Sequence, residues 1–204
     1  MNTNKRIIII SILFISVMIF IASHNRLYKD TTVKLNSNII VVPSRDYEAE
    51  VKEINEDDII AKVKISNDIV QANKSISESV EVIETIQGNI DSDKIDIYRN
   101  QNFYKDNDDS EYLSIYLSNV LLPDKEYYVI LEKLQKKFFY MDNNSYRLKD
   151  DLSIISYDLD HLLLSEDKKY TLGDLDKFIY LFNNKEQVDN YLLRKKQIQL
   201  LLSK

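Results

Sequence analysis

The chain has 204 residues with 44% hydrophobic and 29% charged side chains, globular values that leave no low-complexity tract or Pro/Gly-rich linker to divide it. Its formal charge is −6, and the only charges in the first 22 residues are Lys5 and Arg6, so the remainder is more acidic still; such a body repels phosphate backbones, which excludes nucleic acid as a partner. It contains no cysteine, which removes disulfides, thiolate catalysis, cysteine-ligated zinc and lipidation of an N-terminal cysteine.

The chain opens with "KRIIIISILFISVMIFIAS", in which Lys5 and Arg6 precede an uncharged run from Ile7 through Ala22 broken only by Ser11 and Ser16. Its Ile, Leu, Phe and Val side chains contribute roughly −4 to −7 kcal/mol to membrane insertion. At about 1.5 Å per residue the run reaches roughly 24 Å, short of a hydrocarbon core of about 30 Å, so Lys5, Arg6 and Arg26 must snorkel at its ends. Residues 1–30 are read as an uncleaved single-pass anchor with the body extracytoplasmic. Ile21, Ala22 and Ser23 also make a tolerable cleavage site, and secretion after signal removal is the alternative.

From residue 38 to about 160 the dominant period is two. "IIVV" from Ile39 runs into Pro43, and "DIIAKVKI" places Ile59, Ala61, Val63 and Ile65 opposite Lys62 and Lys64. "SVEVIETI" sets Val80 and Val82 on one face and then shifts phase to Ile83 and Ile86, as a bulge allows. "KIDIY", "EYYVILEKL", "FFYM" and "LSIISY" follow. Strands this short without a long helix between them predict a small closed barrel or a sandwich. Gly88, one of two glycines, falls between "VEVIETIQ" and the turn formers of "NIDSDK", where it supplies positive φ at no steric cost. A phosphate cradle would need more glycines and a following helix.

The succession "DDIIAKVKI", "VEVIETIQGN", "KIDIY", "LLPDKEYYVILEKL" and "FFYM" resembles a group of exported Gram-positive proteins whose layout is similar to the netrin-like domains of metalloprotease inhibitors. The resemblance covers about residues 38–157 and implies an OB-like antiparallel barrel. Gln87 stands where a Lys usually precedes the glycine, and Lys125 where a Gly often precedes the Tyr-rich strand. Inhibition in that group depends on an N-terminal cysteine, so inhibition is not implied for a chain without one.

The tail, 171–204, changes to a period near 3.6. Thr171 and Asp174 form a capping box, with Leu172, Leu175, Phe178, Ile179 and Phe182 on one helical face. A second helix from Lys185 carries Val188, Tyr191, Leu192, Ile198 and Leu202. The predicted fold is therefore mainly β: an OB-like barrel between an N-terminal transmembrane helix and a C-terminal two-helix appendage packed on it.

Candidate chemistry is sparse. Asp158, Asp160 and His161 in "YDLDH" are weak metal candidates, since two carboxylates and one imidazole do not complete a site. "DNDDSEY" from Asp106 opens like a calcium loop but lacks the glycine at its sixth position and has Leu117 at its twelfth. Fourteen tyrosines offer stacking surfaces for sugars or peptides, although strand packing accounts for Tyr127 and Tyr128. No catalytic set and no cofactor is expected. The expectation is a non-catalytic membrane-tethered module contacting a protein or small ligand at the cell envelope. The rivals are an envelope-polymer hydrolase using Asp158, Asp160 and His161, and a lipid or peptide carrier with an open barrel interior.

Overall fold

The computed structural model describes residues 31–44, 47–72, 75–134, 144–165 and 168–203. The predicted anchor, with Lys5, Arg6, Ile7 and Ala22, and the "FFYM" strand lie outside the described residues. Among the described residues no helix is long and apolar enough to cross a membrane.

The chain runs through β1 (Thr31–Val33), β2 (Ile40–Pro43), β3 (Ile59–Ala72), β4 (Ser75–Gln87), β5 (Lys94–Arg99), β6 (Asn102–Lys105) and β7 (Glu111–Ile115). It continues with β8 (Glu126–Lys133), β9 (Ser145–Leu148), β10 (Ile154–Ile155), β11 (Asp160–Leu163), β12 (Tyr170–Thr171), a 3-10 turn (Leu172–Leu175), β13 (Phe178–Phe182) and α1 (Lys185–Leu202). Five strands close on themselves in the order β3-β4-β5-β9-β8, because β8 pairs back onto β3 from Ile59↔Leu131 to Lys64↔Glu126. Every seam of this ring is antiparallel except β5–β9. Closure leaves no edge on the ring strands where they pair, which removes the usual liability of an exposed ladder.

The alternation read in "DIIAKVKI" puts Ala61 and Val63 inside, and they meet Val80, Ile95, Ile97, Tyr127 and Val129 in one cluster with essentially no exposed surface. The barrel is thus filled by side chains, as a five-stranded ring must be. Ile60 and Ile130 face the other way and are equally buried, in one cluster with Ile179 and Phe182 of β13 and Tyr191 and Ile198 of α1.

The β3–β4 hairpin is longer than the barrel needs. Its distal half carries Ile69 and Ile76 into a second core with Ile39, Val41, Leu113, Ile115, Leu172, Leu175 and Leu181. That core lies under a second sheet, β12-β2-β7-β6, whose β6–β7 hairpin occupies the polar stretch between β5 and β8. Asp106 to Ser110, the calcium-like sequence, form its tip, with Asp109 at φ +62.

The tail differs from the sequence expectation. Thr171 and Asp174 do form a capping box, but it caps one 3-10 turn. Phe178–Phe182 then becomes a strand running parallel to β11, so one C-terminal helix exists where two were predicted. The physical reason is burial on both faces. Ile179, Tyr180, Leu181 and Phe182 are all enclosed, and a continuous apolar run of β-branched and aromatic residues suits a strand covered on each side. The stripe 172, 175, 178, 179, 182 satisfied a helical period by coincidence.

In α1 the buried positions are Gln187, Tyr191, Arg194 and Ile198, while Leu192 and Leu202 are exposed. Two polar side chains sit on the inner seam because each finds partners. Gln187 Nε2 donates to the Tyr47 carbonyl (2.9 Å), and Arg194 Nη2 donates to the Lys52 carbonyl (2.5 Å) and to Asp150 (2.7 Å).

Both glycines have steric duties. Gly88 takes φ +78 just past β4, and a Cβ there would lie 3.1 Å from Ile59 Cα and 3.2 Å from the Asp58 oxygen. Gly173 lets the 3-10 turn approach Ser37, whose Cβ would be 2.9 Å from an added methyl group. Gly88→Ala is expected to cost about 1–2 kcal/mol through the left-handed backbone alone, lowering the melting temperature by about 2–4 °C for each kcal/mol. A thermal melt showing no loss would contradict this assignment.

Candidate functional site

The chemistry of the described surface concentrates at one end of the barrel. There the ends of β5 and β9, side by side in parallel with Tyr98 opposite Arg147, meet the segment after β7 and the irregular strap between β2 and β3. They enclose a groove of about 440 Å³. Its floor and walls include Tyr98, Arg99 and Gln101 from β5 and its exit, Tyr116 and Ser118 beyond β7, residues 147–151, and Tyr47, Glu50 and Lys52 on the strap.

Beneath the groove lies a buried ion pair. Arg99 Nη1 donates to Glu78 at 2.7 Å, with side-chain exposures of 3% and 0%. Arg99 Nη2 donates to Ser118 Oγ (2.7 Å) and to the carbonyl of Asn119 (2.5 Å), while the second Glu78 oxygen accepts the Leu121 amide (2.7 Å). Residues 118–121 are thereby clamped across the barrel mouth. Asn119 extends the network by donating to the carbonyls of Leu175 and Phe178 at 3.1 and 3.2 Å.

Two adjacent carboxylates hold the strap. Asp150 accepts from the Lys52 amide (2.8 Å), Arg194 (2.7 Å), the Leu152 amide (3.0 Å) and Ser153 Oγ (2.6 Å). Asp151 Oδ2 accepts from the Tyr47 hydroxyl (2.9 Å) and the Glu50 amide (2.7 Å). Burial raises the Asp151 carboxyl above its ordinary range, against the effect of these two bonds, and raises the Tyr47 phenol together with the bond to Asp151. Lys149 is buried against Asp58, which also accepts the Asn55 amide (2.5 Å). Gln87, the residue before Gly88, donates to the carbonyls of Asn55 and Asp58 at 2.7 and 3.0 Å and ties the same strap to the end of β4.

The remaining groove features face outward. Tyr47 and Tyr116 meet with ring centroids 4.7 Å apart, and Tyr116 is 44% exposed. Gln101 is buried and donates to the Ser118 carbonyl (2.6 Å), and its own carbonyl oxygen has no donor among the described residues. A buried acceptor left unpaired costs about 1–3 kcal/mol.

The sequence-derived candidates fall elsewhere. Asp160 and His161 adjoin at the start of β11, where Asp160 Oδ1 accepts the His161 amide (2.8 Å) and lies 3.1 Å from His161 Nδ1. The imidazole packs on Phe182 and Tyr191, and the Asp158 amide is turned back to Ser156 Oγ (3.3 Å). Among the described residues no group of three His, Asp or Glu side chains converges on a point, and none of the three candidates lines the groove. The groove residues themselves carry no spacing signal. They come from six separate stretches of chain, and only the charged and amide side chains of "LKDD" and "YRNQ" mark these turns as polar.

No protein-family model, no curated protein and no solved structure matches this chain.

Two outcomes follow from the charges. Arg99→Ala leaves Glu78 charged and enclosed, and is expected to cost about 3–5 kcal/mol; the double change Glu78→Met with Arg99→Met should recover much of that loss in chemical denaturation. For Asp151, the raised carboxyl means that its contribution to stability is fully present below the ordinary aspartate value and is lost as pH rises through the folded-state value. Asp151→Asn keeps an oxygen able to accept both bonds without a charge. Its melting temperature should equal or exceed that of the unaltered chain at pH 7, with the difference closing toward pH 4. A lower melting temperature for the variant at pH 7 would refute the assigned cause.

Proposed function

We propose that this chain is a non-catalytic binding module of the bacterial cell envelope, held to the membrane by its N-terminal apolar segment and engaging a ligand or protein partner through the groove at the barrel end. The observation that carries the binding reading is the groove. It is a solvent-open site whose shape is fixed from below by the Glu78–Arg99 clamp and from the side by Asp150 and Asp151, and it presents tyrosines at its mouth. Rigid support beneath adaptable polar contacts is the construction expected of a recognition surface.

The barrel interior offers no rival location, because Val63, Val80, Ile97, Tyr127 and Val129 fill it. The barrel is OB-like in the sense that its five strands follow the ring order first-second-third-fifth-fourth, with the third and fifth parallel. Likeness to the exported netrin-like group rests on that layout and on the strand sequences, not on an inhibitory terminus. Support for the membrane tether is the uncharged run from Ile7 through Ala22 behind Lys5 and Arg6.

The test of the tether is fractionation of the intact chain from a Gram-positive host. The product is expected in the membrane pellet after alkaline washing, with a C-terminal tag open to protease added outside protoplasts. Deleting residues 7–22 should move it to the soluble fraction. An intact chain free in the cytosol would end this proposal.

A further inference from the structure

Helix α1 inverts the usual distribution of a surface helix, which buries its apolar side chains and shows its polar ones. Its inner seam holds Gln187 and Arg194 beside Tyr191 and Ile198, whereas Leu192, Leu193 and Leu200 stand outward with 48%, 58% and 58% of their surface exposed. At about 3.6 residues per turn, these leucines gather with Asp189 and Lys196 on the side opposite the buried seam. Single surface leucines are ordinary, but leucines collected on one helix side mark a contact face.

The charges on that side decide what fits it. Lys185, Glu186, Asp189 and Lys196 are all exposed and sum to zero, so the face carries no excess charge to draw an anionic lipid surface or a partner of one sign. The neighbouring cation, Lys195, is part-buried and lies over the Tyr157 ring, 5.1 Å from its centroid. Among the described residues neither Asp189 nor Lys196 is ion-paired.

The same face of another copy is its complement. Positions 189 and 196 lie at equal distances, about 5 Å along the helix, on either side of the midpoint between Leu192 and Leu193. A two-fold axis through that midpoint lays the two helices antiparallel, with Leu192 against Leu193 of the partner subunit and Asp189 against Lys196 of the partner subunit. Symmetry makes each contact twice. Lys185 is as far from the axis as Leu200, so its methylene stem covers that leucine across the contact.

We infer that α1 pairs two copies of this chain through its Leu192, Leu193 and Leu200 face, in an antiparallel two-fold contact with reciprocal Asp189–Lys196 ion pairs. This goes beyond the binding-module reading and does not rest on the groove. One helix from each subunit gives a contact smaller than the roughly 1,600 Å² of a standard stable interface, so the dimer is a reversible one.

The full chain in detergent micelles is followed by sedimentation equilibrium from micromolar to millimolar concentration. A monomer–dimer equilibrium is expected, weakened about tenfold or more by Leu193→Ser, by Lys196→Glu or by Asp189→Lys, each alone. The double change Asp189→Lys with Lys196→Glu should return it to within about threefold of the parent, because the pair is then restored with its signs exchanged. Tyr104→Ala, an exposed residue on β6, should leave it unchanged. Thermal melts of the variants matching the parent show that any loss is not unfolding. A chain monomeric throughout overturns the inference, as does a dimer indifferent to all three single changes, and failure of the double change to rescue overturns the antiparallel pairing. Quenching of a fluorophore on Leu193→Cys, the only thiol in a chain without cysteine, by nitroxide lipids in phosphatidylglycerol nanodiscs would seat the face on the bilayer and overturn it equally.

Discussion

The Glu78–Arg99 pair is the interaction on which the rest of this structure depends. It lies where the closed ring must stop and a second sheet must begin, and it satisfies main-chain groups on both sides: the Leu121 amide through Glu78, the Asn119 carbonyl and Ser118 through Arg99. Two charges removed from water at this depth are costly unless every donor and acceptor is used. Here the pair's hydrogen bonds do the joining, so the linker between β7 and β8 needs no secondary structure of its own to cross the barrel mouth.

The same logic recurs at the other joints. Arg194 and Gln187 share the inner seam of α1 with the expected Tyr191 and Ile198, and both reach the strap between β2 and β3. Asp150 receives Arg194 and the strap together, and Asp151 receives the strap a second time. A long irregular segment is thus pinned by side chains from the β9–β10 turn and the terminal helix. Leu192 and Leu202, which the helical stripe placed on that seam, remain in solvent. Polar anchoring fixes geometry more narrowly than apolar contact, because hydrogen bonds are directional while hydrophobic burial is not.

This construction explains how the groove has a defined shape without a disulfide. Its floor is the Glu78–Arg99 pair, its sides are held by Asp150 and Asp151, and the exposed Tyr116 ring stands at its mouth against Tyr47. The acidic excess of the chain as a whole is spread elsewhere, and it disfavours polyanions from a distance.

Local sequence determined β3, β4, β5 and β8 of the barrel and the turn at Gly88, while the fifth ring strand, β9, falls in a stretch where no strand was expected. Alternation in "DIIAKVKI", "SVEVIETI" and "KIDIY" is a property of neighbours two apart, and a strand with one covered face writes that period directly into the chain. The capping box at Thr171 and Asp174 was legible for the same reason, being complete within four residues. Three things were decided only by tertiary structure. Phe178–Phe182 became a strand because partners distant in sequence cover both its faces. The polar seam of α1 arose because carbonyls more than a hundred residues away await its donors. The groove assembled from six separated stretches, whose residues carry no shared period or spacing, since what unites them is closure of the ring and the strap laid across it.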